Sequence, residues 1–133
     1  RAPVFYGGVL MQDTEISSLK IAEKLQSPAC DFTSHQFSDA DGCPEGGVTY
    51  GAGFSISWQR GPLGRGEDRQ LPNGAFVETI IGAAIDRLEF YQRSRFNCEE
   101  NAQALSHLYL AIRRLQDRTK KREERQVEGT TQL

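Results

Sequence analysis

Three cysteines, two histidines, one methionine and one tryptophan among 133 residues leave little material for several kinds of protein. Cys30, Cys43 and Cys98 are odd in number and widely spaced, which argues against a disulfide framework. Cys30, His35 and Cys43 lack the paired C-x-x-C spacing of a zinc site, so free thiols are expected and no metal or other cofactor. His35 and His107 stand far apart, and no Ser, His and Asp order suggests a nucleophilic triad. Glu67, Asp68 and Glu78 are the carboxylates that could serve as general acid or base, yet no pairing singles them out. Long apolar runs are also missing. None approaches the roughly 18 residues a membrane span needs, and Arg1-Ala-Pro-Val-Phe lacks the basic-then-apolar order of a secretory signal. We therefore expect a cytoplasmic chain without a membrane partner.

Charge of one sign is scarce too. The formal net charge is −2, with three bases and seven acids in residues 1–59 and thirteen bases and eleven acids in 60–133. So mild an asymmetry does not build the broad basic patch that a nucleic-acid polymer requires, although it permits a local anion site. What is present is ordinary for a globular protein: 38% hydrophobic and 26% charged residues.

The expected fold is α+β, a small β-rich part (residues 1–58) joined by a Gly/Pro-rich loop (59–74) to a two-helix hairpin (75–125) and a tail (126–133). Val4-Phe5-Tyr6 and Val9-Leu10-Met11 suggest a short strand or two around Gly7-Gly8, and Glu15 to Leu25 a short helix ended by Ser27-Pro28. Asp31 to Gly47 is rich in Asp, Ser, Gly and Pro and reads as a loop with one extended piece around Phe32–Phe37. From Val48 to Trp58, Tyr50, Phe54, Ile56 and Trp58 share one parity, the period of a half-buried strand whose glycines mark a bulge or a close backbone approach. Residues 59–74 are long enough for a binding loop, or for a simple crossover.

The last half is the most regular. Asn73 is placed to cap a helix in which Val77, Ile81, Ala84, Leu88 and Tyr91 recur at three- and four-residue steps, to about Ser94. After the turn Arg93 to Phe96, Asn97-Cys-Glu-Glu100 resembles a capping box, and Leu105, Leu108, Ile112 and Leu115 continue an apolar stripe to about Glu124. The polar tail is expected to fray. A short turn between two long helices makes them an antiparallel pair. On the second helix Arg114, Arg118, Arg122 and Arg125 share one face, a suitable grip for phosphate oxygens. A solvated face with Asp117, Glu123 and Glu124 as partners would look the same. Tyr91 or Phe96 could offer a ring to a base, Phe96 equally serving as a staple between helix ends, and Asn101 could bond a base edge or a ribose.

Several blocks, in one order from about residue 47 to 131, resemble the first Thoeris anti-defence family of phage proteins. They are Ile56 to Arg69, Pro72 to Glu78, Asp86 to Gln92, Phe96 to Ala102, Arg118-Thr119, Arg122 to Arg125 and Val127 to Thr130. The resemblance implies a homo-oligomer, a dimer or hexamer, that captures glyco-cyclic ADP-ribose and in some members cyclic oligonucleotide signals, without cleaving them. It implies that Tyr91 stacks on the base, that Asn101 of the E-N-A motif contacts the ligand, that Arg118 and Arg122 hold phosphates, and, more weakly, that Arg65 of the Gly-rich loop contributes. Glu99 stands where the family pattern has Arg, Arg113-Arg114 where a more apolar pair is expected, Thr130-Thr131 where it has Thr-His, and Gln126 where it has Gly before Val127. The expected function is a non-enzymatic sponge. The alternatives are an enzyme that degrades such a signal and a structural protein whose hairpin serves assembly.

Overall fold

A computed structural model describes residues 4–6, 9–11, 21, 23–26 and 31–133. It has the expected α+β layout. Among the described residues five strands, β1 (Val4–Tyr6), β2 (Val9–Met11), β3 (Thr33–Ser38), β4 (Pro44–Gly51) and β5 (Phe54–Trp58), precede two long helices, α1 (Val77–Gln92) and α2 (Glu99–Glu124). The chain divides into two compact units, residues 1–75 and 76–133, so the loop 59–74 belongs to the first.

In the first unit β1 and β2 pair antiparallel, with Val4 opposite Met11, as two short strands around Gly7-Gly8 should. Most of the helix expected from Glu15 to Leu25 lies outside the described residues; Ile21 and residues 23–25 are helical. A three-stranded antiparallel sheet in the order β3-β4-β5 follows.

That sheet corrects two expectations. The extended piece expected around Phe32–Phe37 is β3, but the remainder up to Gly47 is a tight turn and the start of β4 rather than a loop: Thr33 pairs with Tyr50 and Gln36 with Gly47. The turn-forming residues mislead because only those of residues 39–43 form the turn, whereas Ser34, Ser38, Pro44, Gly46 and Gly47 lie within the strands. In the turn Asp39 Oδ1 accepts the backbone N–H groups of Asp41 and Cys43, each at 2.9 Å. The stretch from Val48 to Trp58 is likewise two strands. Ala52-Gly53 is a two-residue turn, with Gly51 opposite Phe54 and Gly53 at φ +84°, a left-handed conformation that suits glycine. Tyr50 therefore pairs with Ser55 and does not share a strand with Trp58.

The centre of this sheet is polar. Ser34 and Thr49 face each other across β3 and β4, exposed by only 2% and 7%, and their hydroxyls share a 2.8 Å hydrogen bond. Trp58 Nε1 donates to Thr49 Oγ1 at 2.8 Å, and Gln36 Nε2 donates to Ser34 Oγ at 2.9 Å. Side chains from all three strands thus meet in one chain of hydrogen bonds, so burial leaves these groups satisfied. Gly47 makes the close pairing possible. At φ +142° a Cβ on it would lie 2.4 Å from the His35 carbonyl oxygen.

In the second unit α1 and α2 form the expected helical hairpin. Ile85, 6% exposed, is its buried hydrophobic residue among the described ones. Leu105, Leu108, Ile112 and Leu115 are half-buried, while Ser106, His107, Tyr109, Leu110, Arg113 and Arg114 between them are exposed. The 3.6-residue period therefore assigned the inward face of α2 correctly.

Candidate functional site

Four of the five candidate residues stand on the hairpin, and Arg65 belongs to the other unit. The turn end is organised by one glutamine. Gln92, the last residue of α1, donates from Nε2 to the Cys98 carbonyl and accepts the Cys98 N–H at Oε1, both at 3.0 Å. This reciprocal clamp takes the place of the capping box expected at Asn97 to Glu100. Cys98, not Asn97, is the N-cap of α2; its side chain does not cap, and the Asn97 amide donates instead to the Ser94 carbonyl at 3.1 Å. A side chain from the preceding helix thus satisfies the N–H of the N-cap residue, the task that the N3 side chain performs in a capping box. Glu99 and Glu100 fill the first turn, where negative charge complements the helix dipole.

Tyr91 is half-buried beside this clamp. The Arg87 guanidinium carbon lies 5.0 Å from the Tyr91 ring centroid and 5.3 Å from that of Phe90, within cation–π range of both. Asn101 is half-buried one turn into α2, where its Nδ2 donates to the Phe96 carbonyl at 3.4 Å. Phe96 does not act as the apolar staple. Its side chain is 66% exposed, with the Arg95 guanidinium 5.2 Å from its ring centre. Arg87 was not singled out from the sequence, although its spacing of four from Tyr91 is the signal that could have found it.

The arginine face of α2 splits into three kinds of residue. Arg114 makes an exposed 3.4 Å ion pair with Asp117, the solvated pairing that periodicity alone also allowed. Arg118 is exposed and has no polar partner among the described residues. Arg122 and Arg125 turn to the tail. Arg122 Nη1 donates to the Gln132 carbonyl at 2.8 Å, and its Nη2 donates to the carbonyls of Val127 and Thr130 at 3.1 and 3.0 Å. Arg125 Nη1 donates to the Leu133 carbonyl oxygen at 2.8 Å.

The tail is accordingly fastened, not frayed. Past the C-cap Arg125, the Val127 N–H donates to the Arg122 carbonyl at 3.0 Å and the Gln126 N–H to the Glu123 carbonyl at 2.9 Å. These are the two bonds of a Schellman helix end. Gln126 sits at φ +60°, in the position such an end usually gives to glycine.

Arg65 precedes the 3-10 turn Gly66–Asp68 in an exposed loop. The loop is closed at its base by Asn73, which corrects its expected role as helix cap. Asn73 Oδ1 accepts the Arg60 N–H at 2.8 Å, its Nδ2 donates to the Arg60 carbonyl at 3.2 Å, and its own N–H donates to Gln59 Oε1 at 2.9 Å. The N-cap of α1 is Phe76, whose side chain does not cap. Asn73 is spent earlier because Ala75 returns alongside Trp58, its N–H donating to the Ser57 carbonyl at 2.8 Å.

The candidate residues of the hairpin form two groups. Tyr91 and Asn101 are at the turn end, whereas Arg118 and Arg122 are on the last turns of α2. Seventeen residues of helix at about 1.5 Å each put Asn101 and Arg118 roughly 25 Å apart. One hairpin cannot bring both groups onto one small cyclic nucleotide.

No family model matches the chain. Over 76 residues, 57% of its length, it is 41% identical to Thoeris anti-defense 1 of Bacillus phage SBSphiJ7. The aligned stretch is 51% of that protein, so the chain spans about half the length of the curated relative it matches.

Proposed function

We propose that this chain, whose sequence match supports the Thoeris anti-defence family, is a phage anti-defence sponge. It binds a cyclic nucleotide-type immune signal, of the glyco-cyclic ADP-ribose or cyclic oligonucleotide class, and withholds it uncleaved in the cytoplasm of the infected cell. It is a binding protein and not an enzyme. Tyr91 receives the base, Asn101 bonds a base edge or ribose, and the arginine end of α2 holds the phosphates. Arg65, on the other unit, is the weakest of these assignments.

The observation that carries this reading is the polarity of the hairpin. Ring and amide lie at one end, cations at the other, about 25 Å away along the helix. Two copies packed antiparallel bring the ring end of one hairpin to the arginine end of the other, so that each site is shared. The hairpin has apolar surface for such a partner: Phe90, Phe96, Tyr109 and Leu110 are 51%, 66%, 47% and 45% exposed. A dimer, or a hexamer built from dimers, is the assembly proposed.

Incubation of the purified protein with cyclic ADP-ribose isomers and cyclic di- and trinucleotides tests the reading. Chromatography of the supernatant should show one of these depleted, then recovered intact after heat denaturation. Appearance of a breakdown product would make the protein an enzyme, and lack of depletion across the panel would sink the capture reading. Arg118→Ala should weaken capture roughly tenfold to hundredfold, the worth of a charge-assisted bond to phosphate, without unfolding the helices.

A further inference from the structure

Arg122 bears on how such a site would open. A guanidinium grips a phosphate in bidentate fashion along one of two edges, Nε with Nη2 or Nη1 with Nη2. Both edges use a hydrogen on Nη2. Here the two Nη2 hydrogens go to the Val127 and Thr130 carbonyls and one on Nη1 goes to Gln132. Neither edge is free while the tail stays in place.

The tail is also built as a discrete piece. Thr130 Oγ1 donates to the Val127 carbonyl at 2.6 Å and accepts the Gln132 N–H at 3.2 Å, closing residues 127–132 on themselves. Gly129, at φ +77°, lets the chain turn back. The Schellman bonds at Gln126 and Val127 are made to helix carbonyls and not to the guanidinium. The Glu128 N–H likewise donates to the Arg122 carbonyl at 3.2 Å. These bonds can persist when the guanidinium lets go, so the segment beyond Glu128 is hinged rather than simply attached.

We propose that residues 129–132 are a strap that Arg122 holds shut in the free protein, with Arg125 on the Leu133 carbonyl at its end, and that Arg122 exchanges it for a phosphate ligand. This rests on the capture reading above. The exchange has a chemical gradient. The strap offers Arg122 neutral carbonyl oxygens, whereas a pyrophosphate or phosphodiester offers anionic ones, and charge-assisted bonds are about twice as strong. Arg118, one turn earlier and exposed, attracts the anion first. Arg122 then turns from fastening the strap to holding the ligand. In this account Arg122 is the gate of the site as well as part of it.

Carbonyl-carbon NMR on the full chain, with and without inorganic pyrophosphate, tests the strap directly. Saturating pyrophosphate should shift the Val127, Thr130 and Gln132 carbonyl resonances, which lose the guanidinium donor. The carbonyls of the earlier turns of α2 should not change. Arg122→Lys keeps a cation but loses the fork, so the same three resonances should shift with no anion present. If pyrophosphate leaves these three resonances in place, whether it binds or not, the tail is a fixed wall and the exchange idea is wrong. Failure of the capture reading is seen separately, as absence of depletion across the cyclic nucleotide panel.

Discussion

The two units solve the problem of an interior in opposite ways. The sheet buries hydroxyls, Ser34 and Thr49, and satisfies them through Trp58 and Gln36. The hairpin buries Ile85 and leaves Phe90, Phe96, Tyr109 and Leu110 outside. Its ordering devices sit at its ends and along one edge: the Gln92 clamp, the bond from Tyr109 to Glu89, and the Arg122 strap. Polar pairing in a sheet fixes register, because a one-residue slip would remove every partner at once. The sheet therefore specifies itself, and the hairpin specifies its ends while keeping a face for the second copy proposed above.

That contrast breaks most easily in the sheet. Gly47→Ala should be the most damaging single change, costing about 3 kcal/mol, because the new methyl meets the His35 carbonyl 2.4 Å away. Denaturant unfolding followed by far-ultraviolet circular dichroism would show it, and a variant as stable as the parent would mean that β3 and β4 are not paired in this register. Thr49→Val comes next. It keeps the shape but leaves the Trp58 N–H unpartnered, for about 2 kcal/mol, whereas Thr49→Ser should retain most of the stability. Equal loss in Val and Ser would point to packing instead of the hydroxyl relay.

The sequence announced the hairpin more clearly than the sheet for a physical reason. Helical periodicity repeats over many residues, so Leu105, Leu108, Ile112 and Leu115 overdetermine the inward face of α2. Strands of five to eight residues offer few repeats. The glycines and Pro44 of β4 also imitate a loop, since their role depends on a neighbouring strand that is close only once folded. The ends of the helices were misread for a related reason. Asn73 and Asn97 have the chemistry of caps, but each met a nearer partner, Arg60 and Ser94, and Gln92 did the work at Cys98. Among the candidate site residues, the common face of the four arginines was legible; their division into an ion pair, an exposed cation and two tail clamps was not. Nothing local to Arg122 signals that carbonyls eight and ten residues later will claim it.

Two smaller changes sharpen the account of the hairpin ends. Gln92→Ala removes both arms of the clamp and should cost about 1 kcal/mol, the scale of losing a helix cap, read as a lower melting temperature. At the other end, Gln126→Gly should stabilise by about 0.5–1 kcal/mol, since glycine adopts φ +60° without the penalty of a Cβ. Destabilisation by Gln126→Gly would mean that the Gln126 side chain supports the strap.

The least expected effect concerns the edge between the helices. Tyr109 donates its phenolic hydrogen to Glu89 Oε1, and this bond, with burial and the adjacent carboxylate charge following it, raises the phenol above its ordinary value of 10.0. A phenol that titrates higher in the folded hairpin than in the unfolded chain supports folding while it is protonated. Its contribution is complete below pH 10 and is lost as pH rises through the raised value, because the phenolate can no longer donate and repels Glu89. The group is exposed, so the change should be small. Spectrophotometric titration of the tyrosines should show one component shifted to higher pH, absent in Tyr109→Phe and returned to the ordinary range in Glu89→Gln. Melting curves at pH 8 and above pH 10 should then differ less for Tyr109→Phe than for the parent. An unchanged tyrosine titration in Glu89→Gln would show that the bond does not form in solution, leaving the Gln92 clamp and the strap as the hairpin's polar fastenings.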